Sequence, residues 1–378
     1  MKDIPHLKMK LEKNNLVWFE NSDLYFQMEE PAWLVFEKLN AATPFGKIAE
    51  EFSEIYDISF DESMTFVKDM HARIDEMNQP LEYDPELDRV MEQADGFDFV
   101  PYSVYTYQLG DKYIKFSYGT SWLEDYIHPL MEHLSVEAGE QDICFELSSH
   151  EDKVILEFDG EVKGVWYNDE SAYVKGAIFF QLINRLHGKT NEDWLMTVHA
   201  SAVTNGKKTI LFSAEPGSGK TTMAALLQAK GYHLISDDYV PFDKYSGNAY
   251  PFPAAMSVKE GAVLLLTDFY PELKAKESVY INPEKTVRYL PILNEKMGMV
   301  YPANEIVFIK YSDGADFSFE KMDLADAVKL YLEQIWVPPK AENVKLFFKQ
   351  LKNLSFYKLT YSDYKDALKA ITKLFEDE

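Results

Sequence analysis

The sequence predicts an α/β protein whose main body follows a small α+β module, and three observations predict it. An apolar run at 209–213 leads into Ala214-Glu-Pro-Gly-Ser-Gly-Lys-Thr221, and a helix-like run follows at 222–230. Strand, glycine-rich turn and helix in that order form the setting of a phosphate-binding loop, or P-loop. Residues 95–195 alternate strand-like runs with helices, and the first ninety residues read as two strands followed by three helices.

The first module, 1–90, opens with strands at 16–19 and 24–28 joined across Asn21-Ser-Asp23. Pro31 suits a first helical turn, and the apolar residues of 32–39 recur at helical spacing. Thr43-Pro44 opens a second helix with Phe45, Ile48, Ala49 and Phe52 on one face. Asp61 opens a third with Met64, Phe66, Val67, Met70 and Ile74. The proline- and acid-rich stretch 78–88 reads as a linker. A β-rich part, 91–195, follows, with strands at 103–109, 113–116, 143–147, 154–158 and 165–167 and an amphipathic helix at 172–186. The last part, 196–378, begins with the P-loop unit and ends in helical runs.

Composition narrows the function. At 378 residues two or three units are expected, and 46% hydrophobic residues with 15% aromatic ones suffice for sizeable cores. A net charge of −25, from 38 basic against 63 acidic residues, argues against nucleic-acid binding, which needs basic patches to displace counterions. The third predicted helix repeats the point, with Lys68 and Arg73 set against Asp61, Glu62, Asp69 and Asp75. The acidity leaves room for a basic peptide partner or a Mg²⁺-bound nucleotide, and equally for a role in solubility alone. Cys144 is the only cysteine, so neither an intramolecular disulfide nor a CxxC metal site is expected. No apolar stretch approaches the roughly 20 residues of a membrane span, and the N-terminus lacks a signal-peptide core. A cytoplasmic protein that engages no membrane is expected.

The P-loop carries the chemistry. Gly217 and Gly219 let the backbone curl so that the amides of 215–219 point inward, and the helix N-terminus adds partial positive charge at the same spot. Glu215, Pro216, Gly217, Ser218, Gly219, Lys220, Thr221 and Thr222 are therefore the nucleotide-binding candidates. Lys220 is expected on the β- and γ-phosphates and the Thr221 hydroxyl on Mg²⁺. Ala214, where the usual pattern has glycine, ends the strand rather than cradling phosphate. Just upstream, His199-Ala-Ser-Ala-Val203 would form a hairpin with the P-loop strand, placing His199 at the phosphate end or away from it according to register. Downstream, Gly231-Tyr-His-Leu-Ile-Ser-Asp-Asp238 reads as helix end, strand and paired acids. That strand is expected beside the P-loop strand, with Asp237 and Asp238 emerging at the sheet edge where ligands sit in open α/β folds. One acid can hold Mg²⁺ and the other can accept a proton from an attacking hydroxyl. The expectation is one triphosphate tail met by an ammonium, a hydroxyl and two carboxylates.

His-Ala-Ser, a strand, Gly-Ser-Gly-Lys-Thr-Thr, a helix and Gly-Tyr-His-Leu-Ile-Ser-Asp-Asp, in that order, resemble the HPr kinase/phosphorylase superfamily. Ordinary P-loop NTPases place the acidic metal ligand much further along the chain. The resemblance implies a P-loop kinase domain related in fold to phosphoenolpyruvate carboxykinase, using ATP or GTP with Mg²⁺. It implies that His199, Lys220, Asp237 and Asp238 are catalytic, with Thr221 and Asp237 on the metal and Asp238 as base toward a serine hydroxyl. The assignment of base and ligand within the pair stays open. Weaker similarity at 251–259 and 287–291 adds Lys259 and Arg288 as phosphate-binding candidates. Relatives with this domain often form oligomers, which leaves a homo-oligomer open without fixing a number. The signature stretch that bifunctional members carry after the paired acids is not found here, and the N-terminal region is unlike theirs.

The N-terminal pattern, Trp33-Leu-Val-Phe-Glu-Lys-Leu39 followed by Thr43-Pro-Phe-Gly-Lys-Ile-Ala-Glu-Glu-Phe52, resembles a PqqD-like winged-helix domain. Such domains grip the leader of a precursor peptide as an extra strand beside the hairpin. Joined to an HPr-kinase-like domain, the module is similar to the architecture of kinases that modify ribosomally made peptides, lasso-peptide tailoring kinases among them. The expected function is ATP-dependent phosphorylation of a serine in a peptide or small protein. The alternatives are a small-molecule kinase acting on an amino acid or sugar, and a nucleotide-binding regulator or scaffold.

Overall fold

The computed structural model describes residues 4–80, 85–93, 99–137, 139–282, 285–293 and 299–377, and it is a mixed α/β protein with mixed sheets. Two compact units are present. The smaller comprises Met1–Tyr83 and Asp323–Asn353, and the larger Asp84–Met322 and Leu354–Glu378.

The smaller unit opens with β1 (His6–Lys10), β2 (Asn14–Phe19) and β3 (Leu24–Glu29), an antiparallel sheet in that order. Helices α1 (Glu30–Asn40), α2 (Phe45–Tyr56) and α3 (Phe60–Met77) follow. The β1 strand is additional to the predicted pair; its sequence, His-Leu-Lys-Met-Lys, buries only Met9 fully and so carries little apolar signal. Helix α3 starts one residue before Asp61, because Ser59 and Glu62 close a reciprocal capping box. Val17, Phe19 and Met28 pack with Trp33, Phe36, Ile48, Phe52, Val67 and Ile74 in one core. Leu16 and Trp18 alternate with them along β2 and are also fully buried, so both faces of this sheet are covered.

Residues 81–84 of the predicted linker lie outside the described residues, and in the larger unit α4 (Pro85–Gln93) takes up the linker's end. Pro85 is tolerated there because a first helical turn needs no amide donor. Next come β4 (Ser103–Leu109), β5 (Lys112–Tyr118), α5 (Ser121–Met131), β6 (Ser135–Val136), β7 (Ile143–His150), β8 (Lys153–Phe158), β9 (Glu161–Tyr167) and α6 (Ser171–Leu186). The strands form a sheet in the order β6-β4-β5-β7-β8-β9, parallel between β5 and β7 and antiparallel elsewhere. Helix α5 has no counterpart in the sequence reading and carries Pro129 in its last turn.

The P-loop region follows as β10 (Trp194–Val198), β11 (Ser201–Thr204), β12 (Thr209–Ser213), α7 (Lys220–Ala229), β13 (His233–Ser236), β14 (Val240–Asp243), β15 (Met256–Lys259), α8 (Glu260–Thr267), β16 (Val279–Asn282), β17 (Lys285–Leu290), β18 (Ala303–Tyr311) and β19 (Ser318–Met322). The chain then supplies α9 (Leu324–Leu332), β20 (Ile335–Trp336) and α10 (Ala341–Leu351) to the smaller unit. It returns with β21 (Ser355–Tyr361) and ends in α11 (Tyr364–Glu376). Met322 of β19 pairs with Phe356 of β21, so the excursion leaves and re-enters on one rung of a sheet.

That sheet runs β13-β11-β12-β18-β21-β19. Strands β12, β18 and β21 are parallel and heavily apolar because helices must cover both faces of such a sheet. Ile210 and Phe212 share a core with Met223 and Leu226 of α7 and with Leu368, Ile371 and Leu374 of α11. Strand β13 pairs with β11, not with the P-loop strand as the sequence suggested. The β11–β12 hairpin occupies the neighbouring place, and β13 lies one strand further out. No helix among the described residues is long and apolar enough to cross a membrane.

Candidate active site

Strand β12 delivers the chain into the P-loop, and Gly219 caps α7. Gly217 and Gly219 have φ of 92° and 100°, a region that side-chain-bearing residues rarely adopt. Ala214 is buried in the core under the loop, where its methyl packs. The ten-residue helix α7 aims its first amides at the loop.

The β11–β12 hairpin settles the register of His199. Ser201 pairs with Phe212, so His199 lies at the end where β12 enters the P-loop. Lys220 Nζ is 2.9 Å from His199 Nε2, which is 3.4 Å from Asp238 Oδ1. Lys220 Nζ is itself 3.9 Å from the same carboxylate oxygen. Beside this trio, Thr221 Oγ1 donates to Asp237 at 3.1 and 3.3 Å, and the Ser201 hydroxyl donates to Asp237 Oδ1. Adjacent residues of an extended strand point to opposite faces. Asp238 escapes that rule with φ at 67°, a left-handed conformation that aspartate tolerates better than most residues. Its carboxylate reaches His199 and Lys220 while Asp237 reaches Ser201 and Thr221.

Electrostatics divides the two acids. Asp237 is 4% exposed. Burial and then the charge of Asp238 raise its proton affinity, against the Ser201 hydrogen bond and Lys220. Burial pushes Asp238 the same way, but the His199 hydrogen bond and the charges of Lys175, Lys220 and His199 outweigh it, so it stays well below the usual carboxylate range. Burial lowers the proton affinity of Lys220; Asp238 and Asp237 oppose that, while Lys285 and Lys259 add to it. Asp238 is thus a carboxylate held ionised among cations, and Asp237 a buried acid whose proton affinity stays raised despite Lys220.

The remaining predicted residues separate. Lys259 Nζ would lie 3.8 Å from a Cβ placed on Gly217, which sets it over the P-loop. Arg288 is turned elsewhere. Its Nε donates to Glu260 Oε1 at 3.0 Å, and its Nη1 donates to the carbonyls of Leu273, Lys274 and Lys276. That guanidinium clamps the turn after α8, which corrects its candidacy for phosphate. The backbone of 215–219 forms the loop itself, with Ser218 N donating to Glu215 O. Lys175 on α6 and Lys285 on β17 join the electrostatic surroundings, although no motif in the sequence marks either one.

Thr221 and Asp237 offer a hydroxyl and a carboxylate, hard oxygen donors of the kind Mg²⁺ takes. Mg²⁺ commonly completes its shell with waters and substrate phosphates, so two protein oxygens suffice. A buried acid of raised proton affinity beside that hydroxyl is what a dication would neutralise. No group of three or more His, Cys, Asp or Glu suited to a metal occurs among the described residues.

No family model matches this sequence, and no curated protein matches it. Among solved structures, the Hpr(Ser) kinase/phosphatase from Coxiella burnetii is similar at a TM-score of 0.21 and 12% identity, over 47% of this chain and 96% of that one. A likeness of that size carries no structural argument, and the site stands on its own geometry.

Proposed function

We propose that this protein is a kinase that moves the γ-phosphoryl group of a Mg²⁺-bound nucleotide, ATP or GTP, to a serine hydroxyl. One observation carries the reading. Lys220, His199 and Asp238 converge within 3.9 Å at the mouth of a P-loop, while Thr221 and Asp237 form a second oxygen pair beside them. P-loop amides, Lys220 and Lys259 hold the phosphates. Thr221 and Asp237 would hold Mg²⁺, which would supply charge neutralisation to the phosphates. Asp238, ionised at neutral pH, orients the acceptor hydroxyl in line with the γ-phosphorus. As the new O–P bond forms and the β–γ bridging bond breaks, the hydroxyl proton passes to Asp238 and the nucleoside diphosphate leaves. His199, with its side chain 46% exposed, supports the transferring group through phosphate or water.

Asp238→Asn keeps the shape and removes the proton acceptor. Transfer should fall by about 100- to 10,000-fold while nucleotide affinity stays near the parental value. Equal losses of both would reject Asp238 as the base.

The acceptor in this reading is a peptide or small protein recruited by the smaller unit. Its support is the three-stranded sheet followed by three helices, with β3 at the sheet edge. A groove of about 470 Å³ runs along β3 between Leu24, Tyr25 and Gln27 on one side and Leu332, Ile335 and Trp336 on the other. An extended segment docks at such an edge by adding a strand. Deleting 1–90 is a poor test, because Tyr25 packs against Phe347 and Phe348, which that deletion would uncover. Leu24→Glu, at a position 45% exposed, is better suited. It should raise KM for a long peptide acceptor about tenfold and leave nucleotide hydrolysis unchanged. Unaltered KM would point to a small-molecule acceptor instead.

A further inference from the structure

The phosphate site leaves an aromatic pair beside it unexplained. Strands β18 and β21 run parallel to β12, and their carboxyl ends carry Tyr311 and Tyr361 as paired residues. Tyr361 is buried, and its hydroxyl would lie 2.6 Å from a Cβ on Gly219, so it fills the space under the P-loop that this glycine leaves. Tyr311 differs in that it is 48% exposed. Its ring meets that of Tyr361 edge-on, with centroids 5.7 Å apart at 65°. Its amide donates to Ser218 O at 2.9 Å, which ties the end of β18 directly to the P-loop. Ser312 N donates to Tyr361 O, and Ser362 Oγ donates to Ala315 O, so the two strand ends are knitted together. A large, rigidly rooted ring therefore stands in solvent at the ligand edge of the sheet, one strand from the phosphate cradle.

A nucleotide with its phosphates on the P-loop amides must extend its sugar and base along that same edge. Every base has an apolar π-face, and an exposed aromatic ring accepts it without needing a matching hydrogen-bond pattern. We propose that Tyr311 is the platform on which the base of the bound nucleotide stacks, with Tyr361 bracing it from the core side. The assignment rests on the nucleotide reading above and adds the half of the ligand that the P-loop does not hold.

Binding of ATP and of inorganic tripolyphosphate, each with Mg²⁺, to the full chain separates base from phosphate recognition. Tyr311→Ala should weaken ATP on the order of 10- to 100-fold and leave tripolyphosphate unchanged. Tyr311→Phe and Tyr311→Trp should bind ATP near the parental level, which also shows that the site still folds. ATP affinity untouched in Tyr311→Ala, or an equal loss for both ligands, overturns the platform. A parental protein that binds neither ligand overturns the phosphate site and the platform together, a result distinct from a loss confined to the base.

Discussion

Two polar clusters of the larger unit draw on similar residue types and reach opposite ends. Beside the sheet of β4 to β9, Glu124 of α5 accepts from Ser103 and Tyr105 at 2.6 and 2.7 Å. Close by, the Tyr107 hydroxyl contacts Tyr118 at 3.1 Å and His128 Nδ1 at 2.7 Å. Tyr105 stacks on the His128 ring at 3.9 Å. Glu124 is the carboxylate bonded within that cluster, with the charge of Glu132 also felt at His128, and the cluster's donors and acceptors close on one another. At the P-loop, two carboxylates, an ammonium and an imidazole crowd together with further lysines in electrostatic range. A closed network fixes a fold. A crowded one costs stability and marks a candidate for a functional site. Hydrogen-bond count alone would not tell the two apart; the arrangement of like charges does.

Breaking one member of each cluster should break the comparison in opposite ways. Lys220→Met should cut phosphoryl transfer about 100- to 1000-fold. Its melting temperature should change little, because the desolvation cost of the buried ammonium is removed together with its attraction for Asp238 and Asp237. A large drop in stability would mean that the P-loop cluster holds the fold after all. Tyr107→Phe should show the reverse. Loss of the hydroxyl between Tyr118 and His128 should cost about 1 kcal/mol in denaturant unfolding, with transfer near the parental rate. Impaired transfer at full stability would make that network part of the site.

Acid sharpens the contrast. Burial holds Asp237 protonated to higher pH in the folded state than in the unfolded chain. Its charged form therefore destabilises the metal-free protein at high pH, and that cost is relieved as pH falls. Asp237→Asn should raise the melting temperature at about pH 8 and lose the gain at about pH 4.5. His128 carries the opposite sign. Burial lowers its proton affinity below the ordinary 6.5, against Glu132 and Glu124. The unfolded chain then takes up that proton first, so the stability His128 contributes is complete above 6.5 and is lost as pH falls through its folded value. An Asp237→Asn gain that is equal at both pH values would remove the buried-acid account.

How far the site could be read before folding depended on sequence separation. The P-loop was legible because strand, turn and helix are contiguous, and its two glycines have the backbone angles the motif requires. Asp237 and Asp238 were legible as the end of a strand one helix later. The place of that strand was not, since β11 also competes for the P-loop side, and pairing between strands leaves little local trace. Lys175, Lys285 and Tyr311 carry no pattern; each gains its position only when α6, β17 or β18 comes alongside the loop. Arg288 reads as a phosphate ligand from its neighbourhood in sequence, yet Glu260 takes its Nε and three carbonyls take its Nη1.

By itself the sequence determined most of the elements and the local turn chemistry: where backbone amides gather, where paired acids end a strand, where a third helix begins beside Asp61. Tertiary structure alone decided which of those pieces meet. It gave Asp323–Asn353 to the smaller unit, turned two adjacent aspartates toward different partners, and left Tyr311 in solvent beside the P-loop. The reason is physical. Local propensity acts over a few residues, whereas burial and charge pairing act through space between segments the chain keeps far apart.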